Sequence, residues 1–367
     1  LEGRHGNFMN YLDNAKLNDH LEISVDWLSF TFTSITDHTE VIRFLGYSLD
    51  ELVSMPCGKS GYLYSLKSSM YNIYFLYGGR EDMGVHVDVS GSAVSDLLQH
   101  FVSSRLVKTP FNSTALPVHG FDEAVFSEFI RWIFSHGGSF TRLDLALDNK
   151  HDLYYSVEDL WSAVSSGQYV SIFRTKQYTQ SITGNDPSGS TLSFGRRGGA
   201  IYLRVYDKKF EQNNKLKKAG QPLIDYDWVR WEFEFRKENG YADRVAALLR
   251  DSKNVGDVFN GILARYIRFV EKDASRNSRC TTSEKWLAFI GAVSPLRLFQ
   301  KLETRTIEAV QNWLYHQVTP SLAALALYFG GSHDFLYDLI ANGMPRLTSK
   351  HMRLIKSSPV GLVGGCV

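Results

Sequence analysis

The chain has 367 residues, 44% of them apolar and 13% aromatic, with a net charge of +1. That length exceeds one small core and that composition excludes a disordered chain, so two or three packed units are expected, and the balanced charge does not by itself announce a nucleic-acid partner. Cys57, Cys280 and Cys366 are far apart with no CxxC pair, and there is neither an apolar run of about eighteen residues nor a signal-peptide core; this argues against a disulfide framework, structural zinc or a membrane span, and for a reducing, cytoplasmic setting.

In chain order, LEGRHGNF before Met9 reads as a cloning scar, with Met9 as the native start and residues 1–21 a scar plus a disordered arm. EISVDWLSFTFT (22–33) is β-branched and aromatic enough for a strand, and a short helix over 37–45 follows, with Thr36 or Asp37 as its N-cap. GYLYSLKSS, MYNIYFLYGG and GVHVDVSG read as three strands. Ser90 is then expected to cap a helix running to Arg105, with Val94, Leu97, Leu98, Phe101 and Val102 at helical spacing. After a loop at 110–120, FDEAVFSEFIRWIFSHGG is an amphipathic helix stopped by its glycines.

The pattern then repeats. FTRLDLALD is a strand, VEDLWSAVSSG a helix, and YVSIFRTKQYT a second strand; STLSFGRR and AIYLRVYDKK follow as a strand pair, and WVRWEFEFR closes the set after a charged loop at 211–227. Two successive β-α-β-β-β units imply an α+β fold in which an internal duplication pairs into one mostly antiparallel sheet over residues 22–238. Helical spacing dominates 239–367, with a polar linker, KDASRNSRCTTS, near 272–283 and a helical bundle beyond it.

The chemistry concentrates in GRRGGAIYLRVYDKKFEQ (195–212). As a strand over 200–208, this segment places Tyr202, Arg204, Tyr206 and Lys208 on one face and Ile201, Leu203, Val205 and Asp207 on the other. Residues 196–218 hold eight Lys or Arg against Asp207 and Glu211, so positive potential gathers beside two phenols. Cations next to a phenol favour phenolate and stabilise charge developing on phosphorus, which makes Tyr206 a candidate nucleophile toward a phosphodiester and Tyr202 its runner-up. Packing is the commoner role for any one of 19 tyrosines.

Three expected strands also carry acids on a polar face: Arg142, Asp144 and Asp148; Arg230, Glu232, Glu234 and Arg236; and His86, Asp88 and Ser90. Converging carboxylates are hard-oxygen ligands for Mg²⁺ or Mn²⁺. The competing reading is a solvated face laced with Arg–Glu pairs, and for Glu232 and Glu234 it weighs at least as much as ligation.

Taken in order, VDWLSFTF, GVHVDVSG, FTRLDLALD, SFGRRGGAIYLRVYDKK and WVRWEFEFR resemble the Rep_trans family of rolling-circle replication initiators from plasmids and phages, which includes relaxases of conjugative elements; NSRCTTSEKWLAF and NWLYHQVTPSLAAL extend the likeness to about residue 330. The resemblance implies a sheet related to that of HUH endonucleases. It also implies a metal-dependent nicking and strand-joining enzyme that forms a covalent 5′-phosphotyrosine at Tyr206 and leaves a 3′-hydroxyl primer. By position, Asp144 and Glu232 hold the metal and Asp88 joins them, with His86, Asp148 and Glu234 as open additions; the paired histidines of the wider HUH class are absent. Arg204 and Lys208 would assist the chemistry, while Arg142, Arg196, Arg197 and Lys209 would hold DNA. The implied partner is origin DNA, as a single-stranded hairpin loop with flanking duplex, and further partners would be a host replicative helicase and a second copy of the chain. Alternatives are a conjugative relaxase, a DNA-binding regulator that does not cut, and a sugar- or protein-binding β module.

Overall fold

The computed structural model of the chain describes residues 20–106, 123–151, 153–184, 186–252, 254–294 and 314–347, together with 307, 310, 311, 351, 352 and 355. The N-terminal scar and arm before residue 20, the loop at 110–120 and most of the last expected helix lie outside these residues.

The first half runs β1 (Leu21–Phe32), α1 (His38–Phe44), β2 (Leu52–Ser54), β3 (Tyr64–Ser68), β4 (Ile73–Tyr77) and β5 (Val85–Ser90), followed by α2 (Ala93–Leu106) and α3 (Glu123–Ser135). Asp37 caps α1 by accepting from the Thr39 N–H, as its side chain and position lead one to expect. Ser90 does not cap α2. It ends β5, and Gly91, at φ +63°, turns the chain so that the helix starts at Ala93.

The second half runs β6 (Gly138–Lys150), α4 (Val157–Ser165), β7 (Tyr169–Ser171), β8 (Lys176–Thr183), β9 (Asp186–Phe194), β10 (Ile201–Asp207), α5 (Lys208–Lys218) and β11 (Trp228–Arg236). Then come α6 (Tyr241–Asp251), α7 (Val255–Tyr266), β12 (Ile267–Phe269) and α8 (Glu284–Val293). Two expectations fail locally. The stretch 169–179 is not one strand: the Ser171 hydroxyl accepts from the Phe173 N–H and donates to the Tyr266 carbonyl, so the chain bends and β7 pairs with β12 in a separate two-stranded sheet. The charged loop after β10 is a helix as far as Lys218, because its Lys, Glu, Gln and Leu residues are good helix formers.

The large sheet has ten strands in the order β2-β3-β4-β5-β1-β6-β11-β10-β9-β8. All its neighbouring pairs are antiparallel. The two halves meet at β1 and β6, and the order outward from that seam is matched, β5 by β11, β4 by β10, β3 by β9 and β2 by β8, as a duplicated unit requires. One sheet face is apolar. Leu143, Leu145 and Leu147 of β6, Trp231, Phe233 and Phe235 of β11, and Leu203 and Val205 of β10 are buried there, with α2, α3, α4 and α6 packed over the sheet. Each such side chain contributes roughly 1.5–3 kcal/mol by leaving water, so the register that sends these residues inward also fixes which residues face the other way. At the hairpin between β9 and β10, Gly195 has φ +88° and a Cβ there would lie 2.9 Å from the Ile201 carbonyl oxygen, so a side chain at this position would displace the start of β10.

A second compact unit is formed by Leu49–Glu51, Asn213–Leu223 and the described residues beyond 303, which include α9 (Thr319–Tyr328) and α10 (Asp334–Gly343). Among the described residues no helix is long and apolar enough to cross a membrane.

Candidate active site

Residues facing each other on β6, β11 and β10 form rungs across the face opposite the apolar one. Asp144, Glu234 and Tyr202 make one rung; Ala146, Glu232 and Arg204 the next; Asp148, Arg230 and Tyr206 the third. Tyr206 is only 8% exposed, yet it is not lost in apolar packing. Its hydroxyl donates to Glu232 Oε2 at 3.2 Å and accepts from Lys208 Nζ at 3.3 Å, and the Arg204 guanidinium stands 4.8 Å from its ring centre.

Lys208 reaches that oxygen in a way the strand reading did not foresee. It is the first residue of α5 rather than the last of β10, and its buried ammonium is shared between the Tyr206 hydroxyl and Glu211 Oε2, the latter at 2.8 Å. Burial, with Arg230 nearby, weakens its hold on its proton. The cations do not make Tyr206 a resting phenolate. Burial, then the charge of Glu232, raise the phenol well above its usual range, and Arg230 and Arg204 offset this only in part.

Asp144 and Glu234 share one rung and Glu232 lies on the next, each under a guanidinium. Arg142 donates to both oxygens of Asp144, at 2.7 Å for the closest contact, and to Glu234 Oε2 at 3.0 Å; Arg204 donates twice to Glu232 Oε1, at 2.7 and 3.1 Å; Arg236 pairs with Glu234. Asp144 is fully buried, and burial reinforced by Glu232 and Glu234 outweighs Arg142 and pushes its carboxyl up to about 8. Among the described residues no three His, Cys, Asp or Glu side chains stand together as a ready metal cluster.

Asp88 stands apart from these acids. Its strand, β5, is separated from β6 by β1, about 10 Å across the sheet, and its carboxylate accepts from Trp27 Nε1 at 2.8 Å, Ser29 Oγ at 2.7 Å and Lys59 Nζ at 2.6 Å. Burial would raise this acid, but Lys59 and Ser29 prevail and hold it below the usual carboxylate range. His86 contacts the Thr31 hydroxyl through Nδ1, and burial lowers it to about 4.

The expected DNA-binding cations scatter. Arg142 is bound to the acids and stacks 4.0 Å from the Trp27 ring centre. Arg196 and Arg197 are exposed in the β9–β10 turn, at the end of β10 away from Tyr206, about 17 Å by strand rise. Lys209 is tied to Asp227 and to the Asp225 carbonyl.

Sequence reasoning missed Glu211, Lys59 and Trp27, and it saw Arg230 only as a flank of Glu232. Arg230 instead crosses to Asp148 through two 2.7 Å bonds and reaches Asp26 with a third. Glu211 carried a usable signal, its i,i+3 spacing from Lys208, had the helix been seen. The others depend on strand order.

The family model described as replication initiation factor, Rep_trans, matches residues 138–340, more than half of the chain. The provisionally assigned DNA relaxase NicK of Bacillus subtilis (strain 168) is 26% identical over 349 residues, covering 93% of this chain and 91% of that protein. The solved rolling circle replication initiator protein of Geobacillus stearothermophilus superposes with a TM-score of 0.60 at 26% identity, covering 77% of this chain and 99% of that one. With the antiparallel α+β fold, the ordered strand motifs and these matches in agreement, the chain belongs to the replication initiation factor family, Rep_trans, of rolling-circle initiators and relaxases.

Proposed function

We propose that the chain nicks one DNA strand at a replication origin by attack of Tyr206 on a phosphodiester and later rejoins strands, with residues 22–238 as its catalytic part. The observation that carries this reading is the phenol held between a carboxylate that accepts its proton and an ammonium that donates to its oxygen. Tyr206 gives its proton to Glu232 Oε2 as Oη bonds to phosphorus, and the P–O3′ bond breaks. The 3′ oxygen leaves with the bonding electrons and takes a proton from water. The 5′ phosphate stays on Tyr206 as an ester, so a 3′-hydroxyl can attack it later, and the phenolate then leaving recovers its proton from Glu232. Lys208 stabilises the phenolate as it forms, and Arg204 shares that charge.

On this reading Asp144, Glu232 and Glu234 would supply the hard oxygens that suit Mg²⁺ or Mn²⁺, with Arg142, Arg204 and Arg236 giving up their contacts to make room. A divalent ion there would polarise the scissile phosphate and stabilise its leaving oxygen. Asp88 is left out of the proposed set because its strand lies beyond β1 from β6.

Supercoiled origin plasmid incubated with Mg²⁺ or Mn²⁺, beside EDTA controls, tests the reading. The expected result is a nicked plasmid and a covalent nucleotide on the peptide carrying Tyr206; an adduct on Tyr202, or none, refutes it. A plasmid carrying a transfer origin, run in parallel, separates replication from the relaxase role that the name of the Bacillus subtilis relative suggests.

A further inference from the structure

One rung beyond Arg230, the catalytic face carries Trp228 opposite Lys150. The Trp228 indole faces the same way as the Tyr206 rung, because its Nε1 donates to Asp148 Oδ1 at 2.7 Å. From it a row of rings leads outward. Tyr226 lies 6.4 Å from Trp228 and stacks on His151 at 4.2 Å, and His151 lies 5.1 Å from His20. None of the four is buried, and His151 is exposed. Lys150 sits 4.9 Å from the centre of the Trp228 ring, and Lys209 anchors the segment before β11 through Asp225 and Asp227.

Two features set this row apart from incidental surface aromatics. His151 has φ +60°, a backbone conformation that a residue with a side chain adopts at a cost, and its N–H donates to the Asp227 carbonyl at 2.8 Å. With that backbone held, the imidazole lies stacked against Tyr226. The row is also continuous with the proposed nucleophile, since Trp228 lies two residues along β11 from Arg230, the cross-strand partner of Tyr206, about 7 Å away. Partly exposed rings beside cations are what bases of an unpaired strand stack on, without regard to sequence.

We infer that His20, His151, Tyr226 and Trp228 form a stacking platform for the bases of single-stranded DNA next to the scissile phosphate. This rests on the nicking reading above and adds a binding site to it. Stacking would place the strand so that the phosphate beside the last stacked base falls at Tyr206.

The test compares binding of oligothymidylate with that of an abasic sugar–phosphate oligomer of equal length, by fluorescence anisotropy at fixed salt. Wild-type protein is expected to prefer the oligomer with bases. Tyr226→Ala and His151→Ala should each lower affinity for it about fivefold or more while leaving abasic binding unchanged, and Tyr226→Phe should keep the preference. Equal binding of the two oligomers by wild type, or a preference that survives both alanine variants, overturns the platform and leaves the nicking reading standing. Wild type that binds neither oligomer also overturns the platform, and the origin-plasmid assay above then decides the nicking reading by itself.

Discussion

Replacing Lys208 with methionine keeps most of the side-chain volume and removes the charge that touches the Tyr206 oxygen. A hydrogen bond to a charged group contributes about 1.5–3 kcal/mol, equal to a rate loss of about 10- to 150-fold if it is made fully only to the phenolate. The ceiling follows from Coulomb's law. At the observed 3.3 Å, with an effective dielectric of about 20, the attraction is about 5 kcal/mol, a loss of a few thousand-fold, and Arg204 beside the same ring would absorb part of it. A loss near 100-fold is expected in single-turnover cleavage of an origin oligonucleotide. Because the ammonium is buried and engaged with Glu211, it contributes little to the field that attracts DNA, so KM and the salt dependence of binding should hold. A loss below about threefold, or one confined to KM with a shallower salt slope, would show that Lys208 contacts DNA phosphate and not the nucleophile.

Tyr206→Phe is expected to abolish the covalent DNA adduct and retain DNA binding, whereas Tyr202→Phe keeps both, read by transfer of label from a labelled oligonucleotide to protein. Glu232→Gln, which can accept a hydrogen bond but no proton near neutral pH, should stop adduct formation; Asp88→Asn should leave it intact in the same assay. Asp148→Ala strands the buried Arg230 with only Asp26 and should cost about 3–5 kcal/mol in urea unfolding, much of it regained when Arg230→Met is added to Asp148→Leu. Burial raises the Asp207 carboxyl to about 6, so its contribution to stability is present below the unfolded-state value near 3.8 and is lost as pH rises through 6. Asp207→Asn, which can still accept from the Ser190 N–H, should therefore raise the unfolding midpoint at pH 7 and lose that advantage at pH 4.

The strands were legible because period-two alternation is local: Leu143, Leu145 and Leu147 turn inward whatever lies beside them, and Asp144 and Asp148 must then turn the other way. The duplicated pattern likewise implied one sheet. What a one-dimensional pattern does not encode is who sits opposite whom. Arg230 looked like a partner for its neighbour Glu232, but strand order set it against Asp148 and handed Glu232 to Arg204 from β10. Asp88 is placed with the other acids by its motif alone, and strand order puts β1 between its strand and β6. At the end of β10, strand propensity and helix propensity compete within two residues, and the helix carries Lys208 to the phenol by a path that alternation cannot describe.

The matched halves of the sheet also explain why the chemistry is assigned to only one of them. By sheet order β4 stands beside β5 as β10 stands beside β11, and the first half holds the same kinds of group: Tyr74 faces Asp88 across the strands, with Lys59 and Lys67 near the ring. There, however, Lys59 stands 3.8 Å from the ring centre and 2.6 Å from Asp88, and the Trp27 indole and the Ser29 hydroxyl occupy the same carboxylate. The acid is closed by donors from β1 and from Lys59. In the second half Arg204 donates to one oxygen of Glu232, and the other oxygen accepts from the phenol. Reactivity toward a phosphodiester requires a phenol whose proton has a place to go and whose oxygen has a cation beside it, and those two conditions coincide at Tyr206. The halves differ less in the groups they carry than in the donors their carboxylates accept from: Asp88 takes Trp27, Ser29 and Lys59, whereas Glu232 takes Arg204 and the Tyr206 phenol, and that phenol contact is why the proposed nucleophile lies in the second half.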